Sequence, residues 1–145
     1  MNEKQPSILK IIWIDYWAFI SAMLCLVAVG MYVYDTFFSG NPTQSFTWLS
    51  LGIFILGLLG LAWRYVSLVS LYNSGLEAKA TVSEVGFFRD RSYIKYIYPY
   101  ENQKYASHMT VMKNKTTIRY QVGTQMEVMV DRENPKKSMI KDLFV

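Results

Sequence analysis

The side chains able to do chemistry are few and poorly grouped. His108 is the sole histidine and Cys25 the sole cysteine of a chain of 145 residues. A single imidazole cannot build a multi-histidine metal site or leave a spare base for a Ser-His-Asp set. A single thiol can form neither an internal disulfide nor a CxxC pair, and Cys25 lies among Met23, Leu24 and Leu26, where it reads as packing. Asp131 and Glu133 have the closeness of a two-acid hydrolase pair, but they flank Asn134-Pro135, a turn signal beside which solvated carboxylates are ordinary. No GxGxxG, Walker loop or HExxH is present. The chain is therefore expected to work without catalysis, metal or cofactor, by binding.

Charge narrows what it binds. Net charge is +4, and Glu3, Lys4, Lys10, Asp15, Asp35 and Arg64 cancel one another, so the excess lies after Gly75. The bases there are scattered among acids and form no stripe, which argues against nucleic acid. They suit a solvated surface or the neighbourhood of anionic lipid headgroups. Tyrosine is enriched where interfaces form, and Tyr93, Tyr98 and Tyr105 are the candidate anchors for a protein partner.

The elements that must position these residues divide the chain in two. Residues 17–38 and 46–71 are long apolar runs joined by SGNPTQS, in which Gly40, Asn41 and Pro42 turn the chain. About 20 apolar residues in a helix cross a hydrocarbon core of about 30 Å, and each run supplies about that many. Trp13, Tyr16 and Trp17 at one end of the first run, and Tyr32, Tyr34, Phe37 and Phe38 at the other, fit two interfacial belts, with Asp15 and Asp35 wet at the two surfaces. In the second run Gly52, Gly57 and Gly60 suit close approach of the first helix. Arg64 lies within reach of the interface, and at the depth it takes in an antiparallel hairpin it can form a membrane-interface ion pair with Asp15. Lys4 and Lys10 before the hairpin, Arg64 and Lys79 at its end, and a linker without bases place both termini on the cytoplasmic side.

From Gly75 the pattern changes to short segments rich in Val, Ile, Thr and Tyr, the signature of strands. Strands are expected over residues 77–88, 92–100, 103–112, 116–120, 125–131 and 139–144. Glu101-Asn102 has the length of a two-residue hairpin turn. Alternation puts Ile94, Tyr96, Tyr98 and Tyr100 on one face and Tyr93, Lys95 and Ile97 on the other, and groups Met126, Val128 and Val130. The fold class is an α+β membrane protein: a two-helix transmembrane hairpin over residues 1–74, then a small antiparallel β-sheet or barrel over residues 75–145.

The segments GLEAKATVSEV, YIKYIYPYENQKYAS and YQVGTQMEVMVDRENPKKSMI, in this order, resemble the family filed as domain of unknown function 3592. The likeness rests on Gly75 with Ala80-Thr81-Val82, Tyr96-x-Tyr98 and Tyr105, Gly123, Val128-x-Val130-Asp131 and Asn134-Pro135, and covers the C-terminal half. Where members of that family carry Asp-Gly at the hairpin, this chain has Glu101-Asn102. The resemblance implies a bacterial membrane protein with a small β-domain and no assigned chemistry. The expected role is a protein-interaction module on the inner membrane, its partners the bilayer and a protein, with a homo-oligomer left open. An immunity-type protein that neutralises a toxin at the membrane is the alternative, and a subunit of an oligomeric channel or transporter a more distant one. A reporter fused after Val145 is expected to be active in the cytoplasm. Activity confined to the far side of the membrane overturns the orientation.

Overall fold

The structure, a computed structural model, describes residues 6–39 and 44–144. Three helices come first: α1 (Ile8–Ile14), α2 (Tyr16–Phe37) and α3 (Gln44–Ser74). The turn at Gly40, Asn41 and Pro42, and Lys4 ahead of α1, lie outside the described residues. At about 1.5 Å per residue α2 is about 33 Å long and α3 about 46 Å, each enough to cross a membrane. Only 11% of the most apolar window of either helix is buried inside the structure, the reverse of a helix in a soluble core. The two run antiparallel along a seam of small residues: a Cβ at Gly57 would lie 2.7 Å from the Cys25 sulfur and 2.9 Å from the Ser21 carbonyl, and one at Gly60 would lie 2.8 Å from the Ser21 hydroxyl. Gly52 stands clear of any neighbour. Two of the three glycines thus make the close approach on which dispersion between the helices depends.

The sheet has five antiparallel strands in the order β3-β2-β1-β4-β5: β1 (Leu76–Phe88), β2 (Arg91–Tyr100), β3 (Gln103–Met112), β4 (Gln125–Val130) and β5 (Ser138–Ile140). β1 pairs with β4 through its first half and with β2 through its second, and a bulge between Val82 and Glu84 bends it where the partner changes. Glu101 and Asn102 both take positive φ, 46° and 63°, as a two-residue turn matched to strand twist demands. The curled sheet is nearly closed. Tyr96 and Tyr98, wholly buried on the inner face of β2, reach across it: the Tyr96 hydroxyl lies 2.8 Å from the Ser138 hydroxyl, and Tyr98 donates to the Pro135 carbonyl. At the far edges the Ser107 hydroxyl lies 3.5 Å from the Lys136 carbonyl.

Helices and sheet share one core. Ile11 and Ile14 of α1, Ala18 of α2, and Leu68 and Tyr72 of α3 pack in a single cluster with Val82, Ile94, Val111, Val128, Met139 and Phe144. The last part of α3 therefore lies on the sheet, with Leu61, Tyr65 and Val69 against the core, and the apolar run to residue 71 is divided between two tasks. Gly75 alone separates α3 from β1, and a Cβ there would lie 2.4 Å from the Leu71 carbonyl.

Several expectations need correction. Residues 116–120 form no strand: Thr117–Arg119 is a single 3-10 turn, because the Asn114 carboxamide oxygen accepts from the Thr116 and Thr117 amides and the Thr117 hydroxyl donates to the Met112 carbonyl. The last strand stops at Ile140, and Lys141–Leu143 is again a 3-10 turn. Asp15 and Asp35 are not wet: protein buries both, Asp15 completely. The seam yields a prediction. Gly57→Val is expected to destabilise the hairpin by about 1–3 kcal/mol through overpacking against a backbone carbonyl that cannot swing away, while Gly52→Ala leaves it within a few tenths. Thermal unfolding in detergent reads both, and equal effects refute the seam.

Candidate interaction surface

Two places bring charged side chains together. The first is the junction of helices and sheet. The sequence IIWIDYWA cannot continue as one helix because Asp15 takes an extended conformation, φ −81° and ψ 121°, ending α1 and capping α2. Its carboxylate accepts from the Ala18 amide at 2.9 Å and from Arg64 twice, Nε at 3.0 Å and Nη2 at 2.6 Å. Its backbone bridges Val111 on β3. The Arg64 side chain keeps 29% exposure, so its outer face reaches solvent while the inner face is spent on Asp15. Asp15 and Arg64 thus meet, in a buried junction that a reading of the helices alone does not foresee.

The second is the outer face of β1, β2 and β3, turned away from the core, with Arg91 at its end 5.5 Å from the ring of Tyr16 on α2. Alternation sends Arg91, Tyr93 and Lys95 outward from β2, opposite Thr110 and His108 of β3. With Phe88 these residues line a shallow groove of about 510 Å³. The Tyr93 ring packs directly over Gly86, where a Cβ would sit 1.9 Å from it. Its hydroxyl donates to Glu84, which also accepts from Lys95 at 2.7 Å, and the Lys95 ammonium lies 5.4 Å from the Tyr93 ring centre. The hydrogen bonds from Lys95 and Tyr93 hold the Glu84 carboxyl below the usual carboxylate range, and Glu84 in turn raises Lys95 and Tyr93. At neutral pH the groove therefore carries a fixed phenol, two cations from Arg91 and Lys95, and an anion already engaged.

The three candidate tyrosines do not share this face. Tyr93 is half-buried and presents one side of its ring. Tyr98 is wholly buried and cannot meet a partner: it has the parity of Ile94 and Tyr96, and alternation sends it inward. Tyr105 is half-buried, stacked at 6.2 Å on Tyr98 and edge-on to Tyr100, so its ring is engaged within the sheet. The groove cations, Arg91 and Lys95, were the residues that reasoning from tyrosine alone missed. The signal that finds them is the Tyr93-x-Lys95 alternation beside a glycine on the neighbouring strand.

Other chemistry stays apart. His108 is exposed and lines the groove, Asp131 accepts from the Glu133 and Asn134 amides and so shapes its own turn, and among the described residues no cluster of three or more potential metal ligands occurs. Tyr120, half-buried, is pushed up to about 12 by burial and then by Asp142, so this phenol stays neutral at physiological pH. Comparison with protein-family models, with curated proteins and with solved structures finds no match, so function must be argued from these residues.

Removing one partner of a buried pair leaves the other charge uncompensated, at roughly 3–5 kcal/mol, and the partial exposure of Arg64 puts this pair at the lower end. Asp15→Asn and Arg64→Gln are each expected to destabilise the protein, with the double variant costing far less than their sum. Chemical denaturation in detergent measures the cycle. Strict additivity refutes the coupling.

Proposed function

We propose that the chain is a non-enzymatic integral membrane protein, related to the 3592 family it resembles, that spans the inner membrane twice and uses its cytoplasmic β-domain to bind a protein. The observation that carries the reading is the groove. Tyr93 is held over Gly86 by Glu84, so little rotamer entropy is lost on contact, and rigid aromatic rings flanked by cations are the residues on which interfaces concentrate their energy. Lys95, beside the Tyr93 ring, directs the choice of partner toward an acidic, extended segment. The edge of β3 is a poorer site for strand addition, because Asp15 covers it at Val111 and Lys136 approaches it at Ser107.

Binding alone suffices for this role, and nothing in the groove positions a nucleophile against a base. Photo-crosslinking tests it. A benzophenone side chain in place of exposed His108 is expected to give one discrete adduct in intact cells, abolished by Lys95→Glu, while the same probe at Glu133 gives none. Equal adducts from both positions, or an adduct indifferent to Lys95→Glu, overturn the reading.

A further inference from the structure

The tip of the β1–β2 hairpin exposes two consecutive phenylalanines, Phe87 at 51% and Phe88 at 60%. Alternation sends them to opposite sides of the strand, so this end of the hairpin has no dry face and no wet one. Bases surround them. The Arg91 guanidinium lies 5.3 Å from the Phe88 ring centre, that of Arg89 6.0 Å, and the Lys113 ammonium 5.9 Å from Phe87. The carboxylate on the tip is Asp90, whose backbone carbonyl accepts from the Lys113 amide at 2.9 Å.

Where this tip points is set by the junction. The Arg91 guanidinium is 5.5 Å from the ring of Tyr16, the first residue of α2, and the Asn114 side chain is 3.5 Å from the Trp13 carbonyl. Asp15, between those two residues, bridges Val111 at the same end of β3. From this level α2 and α3 leave the sheet, with Trp13, Trp17 and Trp63 exposed around them. The opposite end of the sheet, at Lys104, is about 25 Å away along the strand at about 3.3 Å per residue.

We propose that the hairpin tip is a membrane-surface contact: Phe87 and Phe88 enter the headgroup region beside the tryptophans, and Arg89, Arg91 and Lys113 pair with anionic phospholipid. The occupant follows from charge complementarity and from continuity with the exposed apolar band of the helices. Aromatic rings settle at the headgroup level because they are apolar with a polarisable face, and adjacent bases are drawn by the negative surface potential. The inference rests on the reading that α2 and α3 span the bilayer, and it adds a third point of attachment that fixes how the sheet stands on the surface.

Depth-dependent quenching separates the two. In a Cys25→Ser background, a fluorophore at Phe88→Cys, or at Asp90→Cys as a second reporter, is examined in proteoliposomes of phosphatidylethanolamine and phosphatidylglycerol. The expected result is quenching by a nitroxide near the headgroup several-fold stronger than for a fluorophore at Lys104→Cys, reduced by Arg89→Gln with Arg91→Gln and by exchange of phosphatidylglycerol for phosphatidylcholine. A fluorophore at Leu56→Cys, exposed midway along α3, is expected to respond to a mid-chain nitroxide. Tip reporters no more quenched than Lys104, with Leu56 quenched deeply, overturn the tip contact and leave the spans standing. Tip quenching indifferent to lipid charge and to the arginines overturns the anionic pairing, and an unquenched Leu56 removes the spans and the contact together.

Discussion

One buried carboxylate holds the molecule in register. Asp15 is fully buried, and a bare carboxylate in a low-dielectric interior is untenable unless it is paired and hydrogen-bonded. Here a helix-start amide and a two-pronged guanidinium answer it, and the same residue's backbone reaches β3. Four elements are thereby referred to one atom group: α1 ends there, α2 begins there, α3 brings Arg64 to it, and the sheet edge is sealed by it. Hydrophobic burial is non-directional and by itself says little about which residues face one another. The ion pair is directional, since its geometry tolerates an error of a few tenths of an ångström.

From that fixed point the rest follows by packing. Gly57 and Gly60 let α3 lie close on Ser21 and Cys25, which sets the line of the hairpin. The final turns of α3 then meet the inner side of the sheet, where Leu68 and Tyr72 join the strands' buried residues in one core. Tyr96 and Tyr98 span the interior and end on the β4–β5 side, so their rings supply volume and their hydroxyls join the two margins of the sheet. Burial pushes the Tyr96 phenol above its ordinary range. With the inner face consumed in this way, the outer face is the one left open, and there Glu84 holds Tyr93 in place.

Much of this was legible in the residue order because the strands carry period-two alternation through β2 and β4, and Glu101-Asn102 is a turn pair that few other conformations suit. The failures have local causes. Thr116 to Tyr120 has strand composition, but Asn114 and Thr117 offer the backbone bonds that outcompete a ladder. Residues 8–14 read as the lead into a span because nothing in IIWI declares that its partner is a strand. Tyr98 was miscast as a surface anchor through its residue type, although its parity with Ile94 pointed inward. The Asp15–Arg64 contact was visible from helix depth, but its burial depends on β3, which no local pattern reveals.

The junction also imposes an order of events as the chain is made. Trp13 touches Asn114 across 101 residues, so the segment synthesised first finds its contact only after the third strand has been completed. Loop-closure entropy of that length must be met before any of the distant contacts reward it. Until then Ile11 and Ile14 lack the part of their core that β3 supplies through Val111, and Asp15 lacks the strand it bridges. In the interval between emergence of the hairpin and arrival of β3, the N-terminal segment therefore waits on a contact 101 residues away.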